Sequence, residues 1–267
     1  LSLFFGPVAN SSWLSGCDDS GLHEFLPYWI NGAIRLSALL TNTRLCPVAA
    51  QSIKNQTNRI LLYIIAHQAP SGWLGPDDLQ SSGNQYWASY NLMHALTAWA
   101  ESSPSQTRMN TVRSAIMAHL QEVRRRLQVV PLASWAKARW PDFVLVIQWL
   151  LDHPSQASSS SSPLDSSSSF NISSSSTSQE LISESENPGA QSPRRTPIKE
   201  EEEDEEEDAF LVELAKVAHD QGYDWDSFFA NSIPAPDNAD FMLTHGVNLN
   251  QALKSSAVWW RFDPTQQ

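Results

Sequence analysis

Apolar side chains recur at three- and four-residue spacing along both ends of the chain, and strand-like alternation is nearly absent. This period predicts seven helices, at residues 25–40, 48–67, 86–100, 107–127, 132–151, 210–219 and 248–258. Pro141 should begin a new helix or kink the fifth one. Most connections are short, and neighbouring helices joined by short turns pack as antiparallel hairpins. The sequence therefore predicts an all-α fold.

Two all-α architectures fit these helices, an open α-solenoid and a ring of helical hairpins. No repeat of fixed period is present, which argues against a regular solenoid. The chain also contains 11 tryptophans, and aromatic faces suit the interior of a sugar-binding ring. We therefore expect a ring. Seven helices would close only part of it, so the chain is expected to be a truncated part of a larger domain.

The composition changes abruptly at Pro154. A serine-rich stretch is followed by Pro, Glu and Ser, and then by nine consecutive acidic residues at 200–208. Such a segment buries too little apolar surface to offset the entropy of ordering it. We predict a disordered insertion at 154–208, within one domain formed by 1–153 and 209–267. A translated intron would leave the same trace.

Most of the net charge of −12 lies in this insertion, so the remainder is nearly neutral. That remainder has no basic stripe for nucleic acid. No apolar stretch is long enough for a membrane span, so we expect neither partner. Cys17 and Cys46 are too few for a disulfide framework and could form one bridge, but buried, inert thiols are the expectation. Sequons at Asn10, Asn55 and Asn171 slightly favour secretion.

Several classes of enzyme are excluded by missing motifs. The sequence has no Gly-rich phosphate loop, no Cys/His cluster with zinc spacing, no Gly-x-Ser-x-Gly elbow and no His-Glu-x-x-His. No catalytic residue and no metal ligand can be assigned from these patterns. Candidate binding residues must therefore come from polar and aromatic side chains at unusual positions.

Two such positions lie near predicted helix ends. Glu24 could favour a helix dipole at an N-terminus, or present a carboxylate at the mouth of the ring beside Tyr28 and Trp29. Trp73 lies in a loop between two glycines, and loops on rigid scaffolds often carry binding groups, although a structural turn is an equal alternative. His67 is expected to be a helix C-cap residue.

Two further positions lie on or before helices. Trp87, Tyr90 and His94 share one helical face with Asn91 and form either packed core or a substrate-facing stripe. His245 precedes a glycine at a helix start, where its imidazole would stay neutral near pH 7. The alternative there is a plain helix start with Thr244 or Asn248 as the cap.

The order of these motifs resembles a known family over residues 13–153 and 210–261. The motifs are His23-Glu24-x-x-Pro27-Tyr28-Trp29, His67-Gln68 before Gly72-Trp73-Leu74-Gly75-Pro76, Trp87-x-x-Tyr90, Pro131-Leu132-x-x-Trp135-Ala136-x-x-Arg139-Trp140, Gln221-Gly222-Tyr223-Asp224-Trp225 and Thr244-His245-Gly246-Val247-Asn248. Together they resemble glycoside hydrolase family 127, the β-L-arabinofuranosidase-like family. In relatives, the insertion is replaced by a short gap.

This resemblance implies an (α/α)6 toroid, here incomplete, followed by β-sandwich parts. It implies retaining hydrolysis of terminal β-L-arabinofuranosides or related sugars by a cysteine nucleophile in a zinc-bound Cys/Glu cluster, with a glutamate acid. Those residues follow the Thr-His-Gly-Val-Asn motif, so this chain is expected to be inactive, with zinc only in a longer protein. Cys17 and Cys46 do not match the nucleophile. His245 matches a histidine near the sugar, and carbohydrate is the expected partner.

Two other functions remain open. The chain could be a non-catalytic helical scaffold whose acidic residues 200–208 bind basic proteins. It could also be a toroid sugar epimerase or lyase that uses His245 and Glu24 as acid and base without a metal.

Overall fold

The computed structural model describes residues 11–16, 22–76, 86–155, 197–231 and 240–263. These ranges contain a 3-10 turn at Ser12–Leu14 and eleven α-helices, with no β-strand among them, which confirms the all-α class. The helices are α1 (Phe25–Asn42), α2 (Pro47–Ala66), α3 (Tyr86–Glu101), α4 (Gln106–Leu127), α5 (Ser134–Ala138), α6 (Trp140–Asp152), α7 (Pro197–Gln221), α8 (Trp225–Asn231), α9 (Phe241–Thr244), α10 (Gly246–Ala252) and α11 (Ser255–Trp259).

Helix α3 lies at the centre of the packing. Thirteen of its sixteen residues are buried, and it contacts α1, α4, α5 and α6. A helix that is covered on nearly all sides belongs in the core, and each large side chain buried there contributes roughly 1.5–3 kcal/mol to stability. Helix α6 packs against α3 and is itself contacted by α7 and α11.

The ends of the helices follow from local chemistry. Pro141 lies in the first turn of α6, where its missing N–H costs nothing, so it begins a new helix as predicted. Arg139 ends α5 and begins α6. At the start of α4, the Ser105 hydroxyl accepts a hydrogen bond from the Arg108 amide at 3.3 Å. The predicted C-terminal helix is instead two short helices, α10 and α11.

Helix α7 begins inside the predicted disordered insertion, and the acidic run at 200–208 belongs to it. The prediction of disorder is therefore corrected for residues 197–208. The second half of α7 is docked through buried Leu211, Leu214 and Ala218, and a docked helix extends more readily than a new one nucleates. Glu207 also forms an ion pair with buried Arg113 of α4. The rest of the insertion, 156–196, lies outside the described residues.

One prediction about the cysteines is wrong. Cys46 is exposed, at the start of α2, with a φ of 48°; its place in the four-residue connection between α1 and α2 leaves no core to cover it. Cys17 lies outside the described residues. None of the described helices is both long and apolar enough to cross a bilayer. The incomplete toroid stays a prediction.

Candidate functional site

The first predicted residues that the structure brings together are Glu24 and Trp87. Glu24 occupies the N-cap position of α1 and is half-buried. Trp87 lies in the first turn of α3 and is almost fully buried. The Trp87 indole N–H donates to Glu24 Oε2 at 2.9 Å. This hydrogen bond fixes the position of the carboxylate. Because the carboxylate accepts no hydrogen bond from the backbone amides at the start of α1, its other lone pairs remain available to a ligand.

Arg139 completes the centre of this site. Its guanidinium carbon lies 4.6 Å from the centroid of the Trp87 ring, which is a cation–π arrangement. Its Nε donates to Asn248 Oδ1 at 2.6 Å, and the Asn248 amide donates in turn to the Met242 carbonyl at 2.9 Å. Arg139 is only 3% exposed. We call Glu24, Trp87, Arg139 and Asn248 the Trp87–Arg139 cluster.

The charge of Arg139 is not neutralised by an ion pair within the described part of the chain. Burying a charge without a partner is costly. Its partial compensation comes from the Trp87 face and the Asn248 carbonyl oxygen. Arg139 also lies within hydrogen-bonding reach of the Tyr28 hydroxyl. A guanidinium has five N–H donors, so those that do not face Asn248 or Tyr28 remain for an oxygen-rich ligand.

Tyr28 forms the exposed edge of the cluster. Its ring meets Trp87 edge-on, with centroids 5.7 Å apart, and 43% of the residue is exposed. Partial burial raises the pKa of Tyr28, while the nearby Arg139 charge opposes that rise. The phenol therefore stays protonated near neutral pH. Its hydroxyl lies within hydrogen-bonding reach of Arg139 and Asn91, while part of the residue is exposed to solvent.

Three polar atoms near this region are buried without a hydrogen-bond partner of ordinary geometry. One is Nδ2 of Asn91, which follows Trp87 by one helical turn and whose side chain lies near the Tyr28 hydroxyl. Another is the Tyr90 hydroxyl, whose ring lies 6.4 Å from the Trp87 ring. His245 Nδ1 is also unpaired, and the imidazole lies perpendicular to Trp135, 5.0 Å between centroids. Unpaired buried polar groups are rare in proteins, and a bound ligand is one reason for them.

His245 lies where the sequence predicted, at the N-cap of α10. Its side chain does not cap the helix, and neither Thr244 nor Asn248 occupies the cap position. The ring instead fills a slot between Trp135 and Phe241, whose centroid lies 5.3 Å away. His67, in contrast, is the C-cap of α2, as predicted.

Tyr90 and His94 follow Trp87 along α3, and the Tyr90 ring meets the Trp87 ring edge-on with centroids 6.4 Å apart. Tyr90 is completely buried and stacks on Phe143 at 5.0 Å, and burial raises its pKa well above 10. Burial likewise lowers the pKa of His94, partly offset by Asp142, which is paired with Lys254. Tyr90 is thus a core residue, whereas His94 lies beside an ion pair that joins α6 to the C-terminal helices.

Trp73 lies in a separate buried cluster. It is 1% exposed, and the Arg126 guanidinium carbon lies 3.9 Å from its ring centroid. His119 of α4 lies at 4.8 Å and accepts a hydrogen bond from the Leu74 amide at 3.0 Å. Gly72, with a φ of 91°, lets this loop approach α4 closely. The loop therefore packs Trp73 into the body of the protein.

The described residues do not fit a zinc site. They contain no group of three or more His, Cys, Asp or Glu side chains that could hold a metal ion, and Cys46 is exposed. A zinc-bound thiolate needs several such ligands around one point. We therefore derive no chemical step through zinc, and these residues can bind and orient a ligand without it.

No protein-family model matches the chain, and no curated protein and no solved structure matches it either.

Proposed function

We propose that this chain is part of a carbohydrate-active domain, similar to a glycoside hydrolase, and that the Trp87–Arg139 cluster binds a terminal sugar. The observation that carries the proposal is a buried guanidinium without an ion-pair partner, held over an indole face beside a fixed carboxylate. Sugar sites combine an apolar aromatic surface with a few oriented polar groups that pair with hydroxyls.

Each residue has a distinct role in this proposal. Glu24 accepts a hydrogen bond from a sugar hydroxyl, while Arg139 and the unpaired Asn91 amide donate to sugar oxygens. The exposed edge of Tyr28 packs against a C–H face of the ring. The motif resemblance supports terminal β-L-arabinofuranosides, or related sugars, as the substrate class. Among the described residues, we assign no nucleophile.

The test is isothermal titration calorimetry of the whole chain with methyl β-L-arabinofuranoside. We expect binding that weakens at least tenfold in Glu24→Ala and in Asn91→Ala, because each loses a hydrogen-bonding group that faces the sugar. Glu206→Gln, an exposed carboxylate on α7, is the matched control and should bind as the parent does. Circular dichroism and thermal melting check that each variant is folded.

Two results would contradict the proposal. One is an absence of binding to methyl β-L-arabinofuranoside and to a panel of neutral pentosides and hexosides. The other is binding that Glu24→Ala and Asn91→Ala leave unchanged, which would place the sugar elsewhere on the chain.

A further inference from the structure

A cavity lies between α1, α2 and α3, at the other end of α1 and α3 from Glu24 and Trp87. Its volume is about 430 Å³, which lies within the range of roughly 300–1,000 Å³ typical of small-molecule sites. Trp99, almost fully buried, forms part of its wall, and residues from the C-terminal turns of α1 and α3 line its rim. Neither the sequence motifs nor the proposed function uses this cavity.

Two cations line it. The ammonium group of Lys54, on α2, forms no hydrogen bond or ion pair within the described chain, and the residue is only partly exposed. Arg35 of α1 uses its Nε to donate to Asn31 Oδ1 at 3.1 Å, which leaves both terminal nitrogens available. The one carboxylate in the lining, Glu101, accepts a hydrogen bond from the Trp149 indole at 2.8 Å. The lining therefore carries one more positive than negative charge.

Most of the uncharged polar side chains in the lining are hydroxyls that already donate their hydrogen to a backbone carbonyl. Thr41 donates to the Ser37 carbonyl at 2.7 Å, and Ser102 donates to the Trp99 carbonyl at 2.8 Å. The Thr41 oxygen therefore acts as an acceptor toward a ligand, and so does the Ser102 oxygen, to which Arg108 Nη1 already donates at 3.5 Å. Asn58 has the opposite role: its oxygen accepts from the Trp99 indole at 2.6 Å, which leaves its amide N–H groups to donate.

The surrounding sequence strengthens the positive field. Residues 25–76, which include both α1 and α2, contain four cations, Arg35, Arg44, Lys54 and Arg59, and no Asp or Glu. This stretch is basic in a chain whose net charge is −12. A net positive charge around a cleft attracts anionic ligands.

We propose that this cavity binds a small organic anion that also carries hydroxyl groups, of the sugar phosphate or sugar acid class. Lys54 and Arg35 hold the anionic group by charge-assisted hydrogen bonds. The hydroxyl oxygens of Thr41 and Ser102 accept hydrogen bonds from the ligand's hydroxyls, and the Asn58 amide donates to its oxygens. An anion without hydroxyls would leave those acceptors unused, and a neutral sugar would leave the cations unused.

The experiment is titration calorimetry of the whole chain with four probes: glucose 6-phosphate, glucuronate, inorganic phosphate and glucose. We expect glucose 6-phosphate or glucuronate to bind at least tenfold more tightly than both glucose and inorganic phosphate. Whichever of the two binds better identifies the anionic group as phosphate or carboxylate. Affinity should fall as the sodium chloride concentration rises.

Variants locate the binding. Lys54→Gln and Arg35→Gln should each weaken binding about tenfold or more. Arg59→Gln removes an exposed cation of α2 that does not line the cavity, so it should weaken binding by less than about twofold, through the long-range field alone. Equal effects of Lys54→Gln and Arg59→Gln would overturn the proposal, as would tight binding of glucose. Because Glu24→Ala should leave this binding intact, failure here and failure of the proposed sugar site give different results.

Discussion

Replacing Asn248 with alanine tests whether the Trp87–Arg139 cluster is held as the structure indicates. The side chain accepts a buried hydrogen bond from Arg139 Nε at 2.6 Å and donates a partly buried one to the Met242 carbonyl at 2.9 Å. Asn248 is completely buried and Arg139 is 3% exposed. Water therefore has little access to the groups that the truncation would leave without partners.

The magnitude follows from these two bonds. A hydrogen bond from a charged donor contributes roughly 1.5–3 kcal/mol, and a neutral one roughly 0.5–1.5 kcal/mol. We therefore expect Asn248→Ala to lower the free energy of unfolding by about 2–4 kcal/mol. Domains of this size are stable by only about 5–15 kcal/mol, so the effect should be large.

Guanidinium-induced unfolding, followed by circular dichroism, measures the change. Asn250→Ala is the matched control: it lies on the same helix, and its amide donates to the Gly246 carbonyl at 2.8 Å in an exposed position. We expect the control to change stability by less than about 0.5 kcal/mol. If the two variants lost equal stability, the argument that Asn248 holds a buried arginine would be refuted.

Three further predictions, each with its own variants, test the packing. Gly72→Ala should lower the free energy of unfolding by about 2 kcal/mol or more, because φ is 91° and the added Cβ would overlap a backbone carbonyl of α4. Gly32→Ala, on α1 with open space around it, should instead raise the free energy of unfolding by about 0.5–1 kcal/mol. Glu207→Gln should lower the free energy of unfolding by about 1–3 kcal/mol, because it breaks the ion pair with buried Arg113, whereas the exposed Glu206→Gln should change it by less than about 0.5 kcal/mol. Chemical denaturation measures all four variants. Burial lowers the pKa of His119 to about 3, against about 6.5 in the unfolded chain, so its contribution to stability is complete above pH 6.5 and is lost as the pH falls toward 3, by up to about 1.4 kcal/mol per pH unit. The melting temperature of His119→Asn should therefore depend less steeply on pH over this range than that of the parent. An equally steep pH dependence would contradict the assignment.

The sequence predicted the central helices well because their apolar period is strong. The predicted helix at 86–100 and the observed α3 (Tyr86–Glu101) differ by one residue. The start of α7 was missed because composition shows only that the acidic residues at 200–208 can bury little apolar surface. It does not register that the same helix is docked by Leu211 and Leu214, or that Glu207 meets a buried arginine 94 positions earlier.

The site was predicted only in part. Glu24 was a candidate because it lies beside Tyr28 and Trp29 near a helix start, and Trp87 because it shares a helical face with polar residues. The structure joins the two through one hydrogen bond. Arg139 was missed, because a single arginine at a helix end resembles an ordinary solvent-exposed cation. The sequence could not show whether Trp73 is a binding residue or a packed one. The residues that bury it lie on α4 and include His119, 46 positions away.

The two proposed sites depend on different parts of the fold. Arg139 is held by Asn248 of α10, so loss of α9 and α10 from the body would release the guanidinium and weaken sugar binding. The cavity beside Lys54 is built only from α1, α2 and α3, so the same event would leave it intact. Asn248→Ala under mild denaturant should therefore lose affinity for methyl β-L-arabinofuranoside before it loses affinity for the organic anion. Parallel loss of both would show that α10 and the α1–α3 body unfold as one cooperative unit.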